Sequence, residues 1–403
     1  MRICMFNNLF PPIKSGSSHF TFRLSKMLVE RGHEITVIAA RVGDTAEYEK
    51  MDGIEVYRLP CLMFPQMEIA HGFKYLSFTF FPKNVSKIVG LCKEKKFDIL
   101  HQHGQIFDTA LSSAYAARKL KIPLVNTIHT PVRHTIPLYL KILVFLDRNI
   151  VKHLIIKHAQ VLIAPDQTVV DNINERYQHP WAEEVPYGVD QLFATPEQGL
   201  ELRQKYNLGS RPLILSLGHV HNLRDRCDLI SAMPEIIKQV PDVHLMIVGD
   251  IYIQKPIELV ERLGIKSHVT FTGGIPHEEI GAYFAAATIE AHWLGNAPGL
   301  GIAAMEAMAV GKPVVSSIGV DDLGKGVLQP GNNIVLIDRG VVPNIAESII
   351  KLLIDPILRQ QIGDNGRKMI EEHFSWQSVT TKMEKVYQKM IELDNGFISK
   401  TVK

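Results

Sequence analysis

The chain has 403 residues, 46% of them hydrophobic and 21% charged, and a formal net charge of +2. That length exceeds what one core usually holds, so two domains are expected, with the composition of an ordinary globular protein. The charge argues neither for nor against nucleic acid, and no nucleic-acid partner is expected. The scattered Cys4, Cys61, Cys92 and Cys227 contain no C-x-x-C pair, which favours a reduced, cytoplasmic compartment without structural zinc. No run of about 18 apolar residues argues for a spanning helix, and Met1–Phe10 is too short before Pro11-Pro12 for a signal peptide.

In chain order, residues 3–6 read as a buried strand and 7–18 as a loop built on FPPIKSGSS. Residues 19–31 then carry Phe20, Leu24, Met27 and Leu28 at helical spacing. Gly32 ends that helix, and 34–39 is the next strand. Strand, loop, helix, strand is the start of a parallel sheet. The Ser15-Gly16 loop falls at the carboxyl end of the first strand, where open α/β sheets bind ligands; a plain turn is the alternative. Residues 54–59 form a further strand, and 61–96 read as one long helix after a loop. The strands 97–101 and 123–128 bring His101, His103 and His129 near the carboxyl ends of one sheet. H-x-H after a strand can be a metal pair, but the remaining ligands of such a site are missing from the sequence, so no metal is expected.

Residues 132–158 are apolar and basic, with Arg133, Lys141, Arg148, Lys152 and Lys157 against a single acid, Asp147. The plain reading, preferred on sequence grounds, is a core helix with a solvated basic face. The sharper one is contact with an anionic membrane face or a phosphate-bearing acceptor. After the strand 159–164, the turn-rich Val185–Asp190 is taken as the hinge. A second series of strands follows at 213–217, 243–248, 269–272, 288–291 and 313–317, with a last one at 333–337. Helices at 225–239, 256–263 and 277–287 alternate with them. Helices at 345–353 and 356–372 come next, and Phe374-Ser375-Trp376 opens a final amphipathic helix to about 392.

The densest signal is WLGNAPGLGIAAMEAMAVGKP at 293–313. It reads as a glycine turn, a buried helix from Ile302 to Val310 and a stop at Gly311. A helix start with glycines suits a phosphate, because unpaired N–H groups and the dipole point at it. Glu306 is the one charge inside the helix and needs a partner if it is buried.

Taken in order, FPPIKSG, LxxxLxERGHEITVI, DILHQHG, VNTIHTP, VPYGVD, LILSLGHV, LMIVGD, VTFTGG, GLGIAAMEAMAVGKPVV and FSW resemble the retaining glycosyltransferases of family 4 over nearly the whole chain. The resemblance implies an α/β GT-B architecture with two facing Rossmann-like domains. Residues 1–189 would form the acceptor-side domain, 190–374 the nucleotide-sugar domain, and 375–403 a helix returning to the first. It implies sugar transfer from a nucleoside-diphosphate sugar to a hydroxyl of a lipid, polysaccharide or small molecule, with no cofactor beyond that co-substrate. By the same resemblance Gly16 lies near donor phosphate and acceptor, and His129 near the transferred sugar, which it orients. Arg224 stands where a lysine contacts the diphosphate, and Gly274 and Ile275 where the backbone meets the base. Gly299, Leu300 and Gly301 form the phosphate-facing helix start, and Glu306 accepts the ribose hydroxyls. An arginine at the lysine position keeps the cation and adds a bidentate fork.

Two residues depart from the family pattern. Pro298 stands where the first glutamate of the paired motif should touch the sugar, leaving Asn296 or His292 as stand-ins. His219 replaces an arginine at the phosphates, a change that weakens anion binding by roughly 1.5–3 kcal/mol unless His221, Arg224 and Arg226 share the work. These departures motivate an alternative, a degenerate homologue that binds a nucleotide or partner without turnover. Gly299-Leu300-Gly301-Ile302-Ala303-Ala304 with Asp321 also matches G-x-G-x-x-A, the mark of an NAD(P) oxidoreductase. That fingerprint normally follows the first strand of its domain, and here it follows several strand–helix units. For a family enzyme with a lipid-linked acceptor, peripheral attachment to the inner face of the membrane is expected.

Overall fold

The computed structural model describes residues 1–13, 15–70, 75–132, 134, 136–190, 195–222, 224–292 and 300–401, with side chains to 393. The chain divides into two compact units. One comprises Met1–Gly188 with Trp376–Lys403, the other Val189–Ser375.

The first unit is built on an eight-stranded sheet. Its spatial order is Ala182–Glu184, Val161–Ala164, Leu124–Thr127, Ile99–His103, Arg2–Phe6, Glu34–Ala40, Ile54–Leu59, Tyr48–Met51. Every neighbouring pair is parallel except the last, a hairpin. Parallel strands need crossover helices, and those helices cover both faces, so the central strands are buried along their whole length. Alternate residues point to opposite faces. Cys4, Phe6, Leu100 and Leu162 pack with Ile88, Ala114 and Ile173 from the helices Pro82–Lys95, Thr109–Leu120 and Gln167–Tyr177. Ile3, Met5, Ile99 and Val125 pack on the other face. There they meet Phe20, Leu24 and Leu28 of the helix Gly16–Glu30 and Val379, Met383 and Tyr387 of the last helix, Trp376–Thr401.

The second unit carries six parallel strands in the order Val269–Phe271, His244–Val248, Leu213–Leu217, Ile289–His292, Val314–Ser316, Val335–Leu336. Two turns at the carboxyl ends of neighbouring strands touch. A Cβ on Gly249, whose φ is +139°, would lie 2.5 Å from the Gly218 carbonyl oxygen. Only glycine fits there.

Three sequence expectations change. The segment 61–96 is not one helix: it contains a short hairpin, Leu62–Met63 with Ser77–Phe78, and helix only over Pro82–Lys95. Pro65 interrupts the pattern, and Pro82 starts the helix at a position where its missing N–H costs nothing. The strand expected at 97–101 runs Ile99–His103 and takes His103 into the sheet. The basic segment is not a core helix, because Pro137–Leu146 buries no residue at all.

Candidate active site

In the second unit the expected donor residues gather at the carboxyl ends of the strands. Leu300 is buried in the core, and Gly301 precedes the helix Ile302–Ala309. Asn296 and Gly299 lie outside the described residues. Glu306 is 4% exposed, and its Oε1 is 3.1 Å from Nε2 of His277, a residue 29 positions earlier in the chain. That hydrogen bond, followed by the carboxylate's charge, raises the His277 pKa above its ordinary value. His277 is therefore the partner that a buried carboxylate requires. No periodicity or spacing in the sequence points to it.

The loop after Leu213–Leu217 carries the other polar groups. Arg226 was expected to share the phosphate work, but it is turned inward and 7% exposed. Its Nε donates to Ser216 Oγ at 2.8 Å, its Nη1 to the Arg224 carbonyl at 2.9 Å and its Nη2 to the Gly218 carbonyl at 3.3 Å. Burial pushes its pKa down to about 10, against the opposing charge of Glu290. Arg226 thus shapes the loop from within, its backbone in the left-handed region at φ +65°. Arg224 stays partly buried, and desolvation lowers its pKa. Its backbone N–H closes a turn on the His221 carbonyl at 2.7 Å.

His219 is exposed and faces Asp250. Its Nδ1 accepts the Asp250 N–H at 3.2 Å, and Asp250 Oδ1 accepts the Gly274 N–H at 3.2 Å. The structure therefore links His219 to Gly274, two positions named from separate motifs, through Asp250, whose backbone N–H serves one and whose carboxylate the other. Ile275 packs, partly buried, beside the core that holds Leu300. His292 is the other residue named as a stand-in for the missing glutamate. It is 1% exposed and bonds Glu290 Oε1 at 2.9 Å inside the strand Ile289–His292.

In the first unit Gly16 opens the helix Gly16–Glu30, with Ser15 Oγ accepting the Ser18 N–H at 3.1 Å. A Cβ at Gly16 would meet nothing within 4 Å, so the helix start is open on that side. His129 follows the strand Leu124–Thr127. Its Nδ1 lies 3.1 Å from Tyr187 Oη and its Nε2 3.3 Å from His103 Nδ1. Although part of the residue reaches solvent, burial pushes its pKa down to about 4, so the ring is neutral at pH 7. His101 lies behind, between Tyr387 Oη at 2.6 Å and Thr127 Oγ1 at 2.7 Å, its pKa pushed down to about 3 by burial. Phe20 makes steeply angled ring contacts with His103, His129 and Tyr187. Among the described residues no three His, Cys, Asp or Glu side chains are placed to hold a metal ion.

Residues 14–191 match the family described as Glycosyltransferase Family 4, and residues 200–369 that described as Glycosyl transferases group 1. A GDP-mannose-dependent alpha-(1-6)-phosphatidylinositol monomannoside mannosyltransferase of Mycobacterium tuberculosis is 30% identical over 210 residues, 50% of this chain. That alignment spans 54%, about half, of the relative's length. An alpha-monoglucosyldiacylglycerol synthase of Streptococcus pneumoniae is 25% identical over 78% of this chain and 71% of its own. The HepE protein of Anabaena, solved in complex with UDP, superposes with a TM-score of 0.71 at 20% identity, over 96% of this chain and 100% of that one. The fold is the GT-B fold. With both halves matched, the chain belongs to the family 4 glycosyltransferases.

Proposed function

We propose that the protein transfers a sugar, with retention, from a nucleoside-diphosphate sugar to a hydroxyl of a lipid-linked acceptor at an anionic membrane surface. The donor half of this reading is carried by the buried Glu306 on its apolar helix, inside the matched region 200–369. Its carboxylate would accept the ribose hydroxyls, as in the family. Arg224 and the helix start would take the charge that develops on the leaving diphosphate, without a metal. The acceptor oxygen bonds the anomeric carbon as the bond to the diphosphate oxygen breaks, and the acceptor proton passes to the departing diphosphate. Gly16 and His129 serve the sugar and acceptor. The relatives named above use GDP-mannose or act on phosphatidylinositol or diacylglycerol derivatives by their names, which makes these the first donors and acceptors to try.

The lipid half is carried by the face of 137–154. Leu138 is 62% exposed, Phe145 64% and Leu154 53%, and Ile142, Leu146 and Ile150 are exposed with them. Lys141 and Arg148 are exposed, and Lys152 is partly so. The segment's one acid, Asp147, is turned inward, where Arg176 Nη1 meets Oδ2 at 3.0 Å and the Tyr177 hydroxyl donates to Oδ1 at 2.6 Å. What remains outside is an apolar strip with cations only, the pattern of a helix lying in a membrane interface. Among the described residues no helix is long and apolar enough to cross a membrane.

The experiment incubates the protein with GDP-mannose, UDP-glucose or UDP-N-acetylglucosamine and vesicles containing phosphatidylinositol or diacylglycerol, and reads glycolipid by mass spectrometry. A glycolipid from one pair is the expected result. Nucleotide binding with neither transfer nor donor hydrolysis would favour the non-catalytic alternative that Pro298 and His219 motivate. Each basic residue contributes about 1 kcal/mol at an anionic surface. Lys141→Glu with Lys152→Glu should therefore weaken sedimentation with phosphatidylglycerol vesicles by at least about tenfold. Equal sedimentation of wild type and variant would remove the membrane from the proposal.

A further inference from the structure

His103 has no role in the reading above, yet it is completely buried at the carboxyl end of the strand Ile99–His103. Its Nδ1 is 3.3 Å from His129 Nε2, and its Nε2 is buried with no partner among the described residues. The hydrogen-bond pattern fixes which nitrogen carries each proton. Tyr187 has one hydroxyl proton and two contacts with His129, the carbonyl oxygen at 3.2 Å and Nδ1 at 3.1 Å. Both are used only if the hydroxyl donates to the carbonyl and accepts from an Nδ1–H. His129 Nε2 is then a bare lone pair that requires a donor, and the group facing it is His103 Nδ1–H. The orphaned His103 Nε2 is left as a bare acceptor. The opposite assignment would bury an N–H without a partner, the costlier of the two.

We infer that His103 is a positioning residue: its Nδ1–H holds His129 in the Nδ1–H tautomer and fixes the plane of the His129 ring. The support behind it is rigid. The His101 ring lies against His103 with centroids 4.1 Å apart and is itself held at both nitrogens, and the Phe20 ring meets His103 at a steep angle, centroids 6.0 Å apart. Both His129 nitrogens are spoken for, so the ring acts as a fixed wall and neither gives nor takes a proton. The consequence for catalysis rests on the proposed placement of His129 beside the reacting sugar; the tautomer does not.

The test uses three full-length proteins: wild type, His103→Leu and His103→Asn. Asparagine can set its Nδ2–H where the imidazole Nδ1–H stood, and leucine cannot. The His129 tautomer is read by long-range ¹H–¹⁵N NMR of the imidazole nitrogens, assigned by difference from His129→Gln. Wild type and His103→Asn are expected as the Nδ1–H form, with His103→Leu changed to Nε2–H or a mixture. Turnover with the active donor should fall about tenfold or more in His103→Leu, since small misplacement near reacting atoms is costly. Its donor KM should stay within about twofold, and His103→Asn should recover most of the turnover. An unchanged His129 tautomer in His103→Leu overturns the inference, as does an Nε2–H tautomer in the wild type. If no donor is turned over, the proposed function fails while the NMR arm still decides the inference.

Discussion

Asp147→Asn removes one negative charge and keeps the side-chain volume. The carboxylate is 2% exposed and holds two groups, the Arg176 guanidinium and the Tyr177 hydroxyl. The amide oxygen can still accept from Tyr177, but the amide N–H₂ then faces Arg176, donor against donor. Breaking a buried ion pair from one side costs about 3–5 kcal/mol, because the other charge stays behind unpaired. Arg176 retains 13% side-chain exposure, so some water reaches it and the low end, about 3 kcal/mol, is expected. Urea unfolding followed by tryptophan fluorescence reports on the first unit through Trp181 and Trp376 and on the second through Trp293, so the transition that Asp147→Asn shifts is the one that Trp293→Phe leaves in place. Its midpoint should drop while the slope stays the same. Arg176→Met on top of Asp147→Asn should restore part of the loss, since no unpaired charge then remains. Vesicle sedimentation of the folded fraction should be unchanged, because the outward face is untouched. A loss below about 0.5 kcal/mol for the single variant would refute the reasoning, since only a solvated surface pair is worth so little.

Glu306→Ala should weaken binding of the preferred nucleoside diphosphate by at least about tenfold in calorimetry, the equivalent of one hydrogen bond to a charged acceptor; equal affinity would remove Glu306 from the ribose. Arg224→Ala and Arg226→Met should separate two arginines that lie two residues apart. The first should lose diphosphate affinity with little change in melting temperature; the second should lose stability by about 1–3 kcal/mol, because the buried Ser216 hydroxyl and the Arg224 and Gly218 carbonyls lose their donor. The His277–Glu306 bond gives a pH signature. The folded His277 pKa lies above its ordinary value of 6.5, so its stabilisation is full below about pH 6.5 and is lost as pH rises through the raised value. The difference in melting temperature between wild type and His277→Gln should therefore shrink from pH 6 to pH 8.5, and a constant difference would exclude the titration.

The alternation of short apolar strands and helices was readable because a parallel sheet writes it locally. Residues 213–217, for instance, are apolar without a break apart from one serine and form a strand over that span. Where the pattern depends on what a helix packs against, it was not readable. Pro137–Leu146 has the hydropathy of a core helix, and only the fold shows that none of its residues is fully buried. The same limit applies to charge. Glu306 could be recognised as needing a partner and Arg226 as having a use, whereas Asp147 stood out only as the one acid of its segment; His277, the carbonyls of Gly218 and Arg224 and the Arg176–Tyr177 pair are brought to them by topology.

That difference explains why residue type and spacing alone do not tell Arg224 from Arg226, of which only the second is fully buried in the fold. The backbone at Arg226 is left-handed and its side chain turns back under the loop, where it meets the Ser216 hydroxyl and the Arg224 and Gly218 carbonyls. The guanidinium thus does from a side chain what regular structure does elsewhere: it donates to carbonyls that the loop holds inside. The buried charge this requires is balanced across the sheet by Glu290, which His292 bonds from the same strand. On this argument the arginine, the glutamate and the histidine form one structural unit. Replacing Glu290 by glutamine should lower stability and loosen the Arg226 loop together, seen as faster amide exchange at 218–222. Destabilisation with unchanged exchange there would separate the pair from the loop.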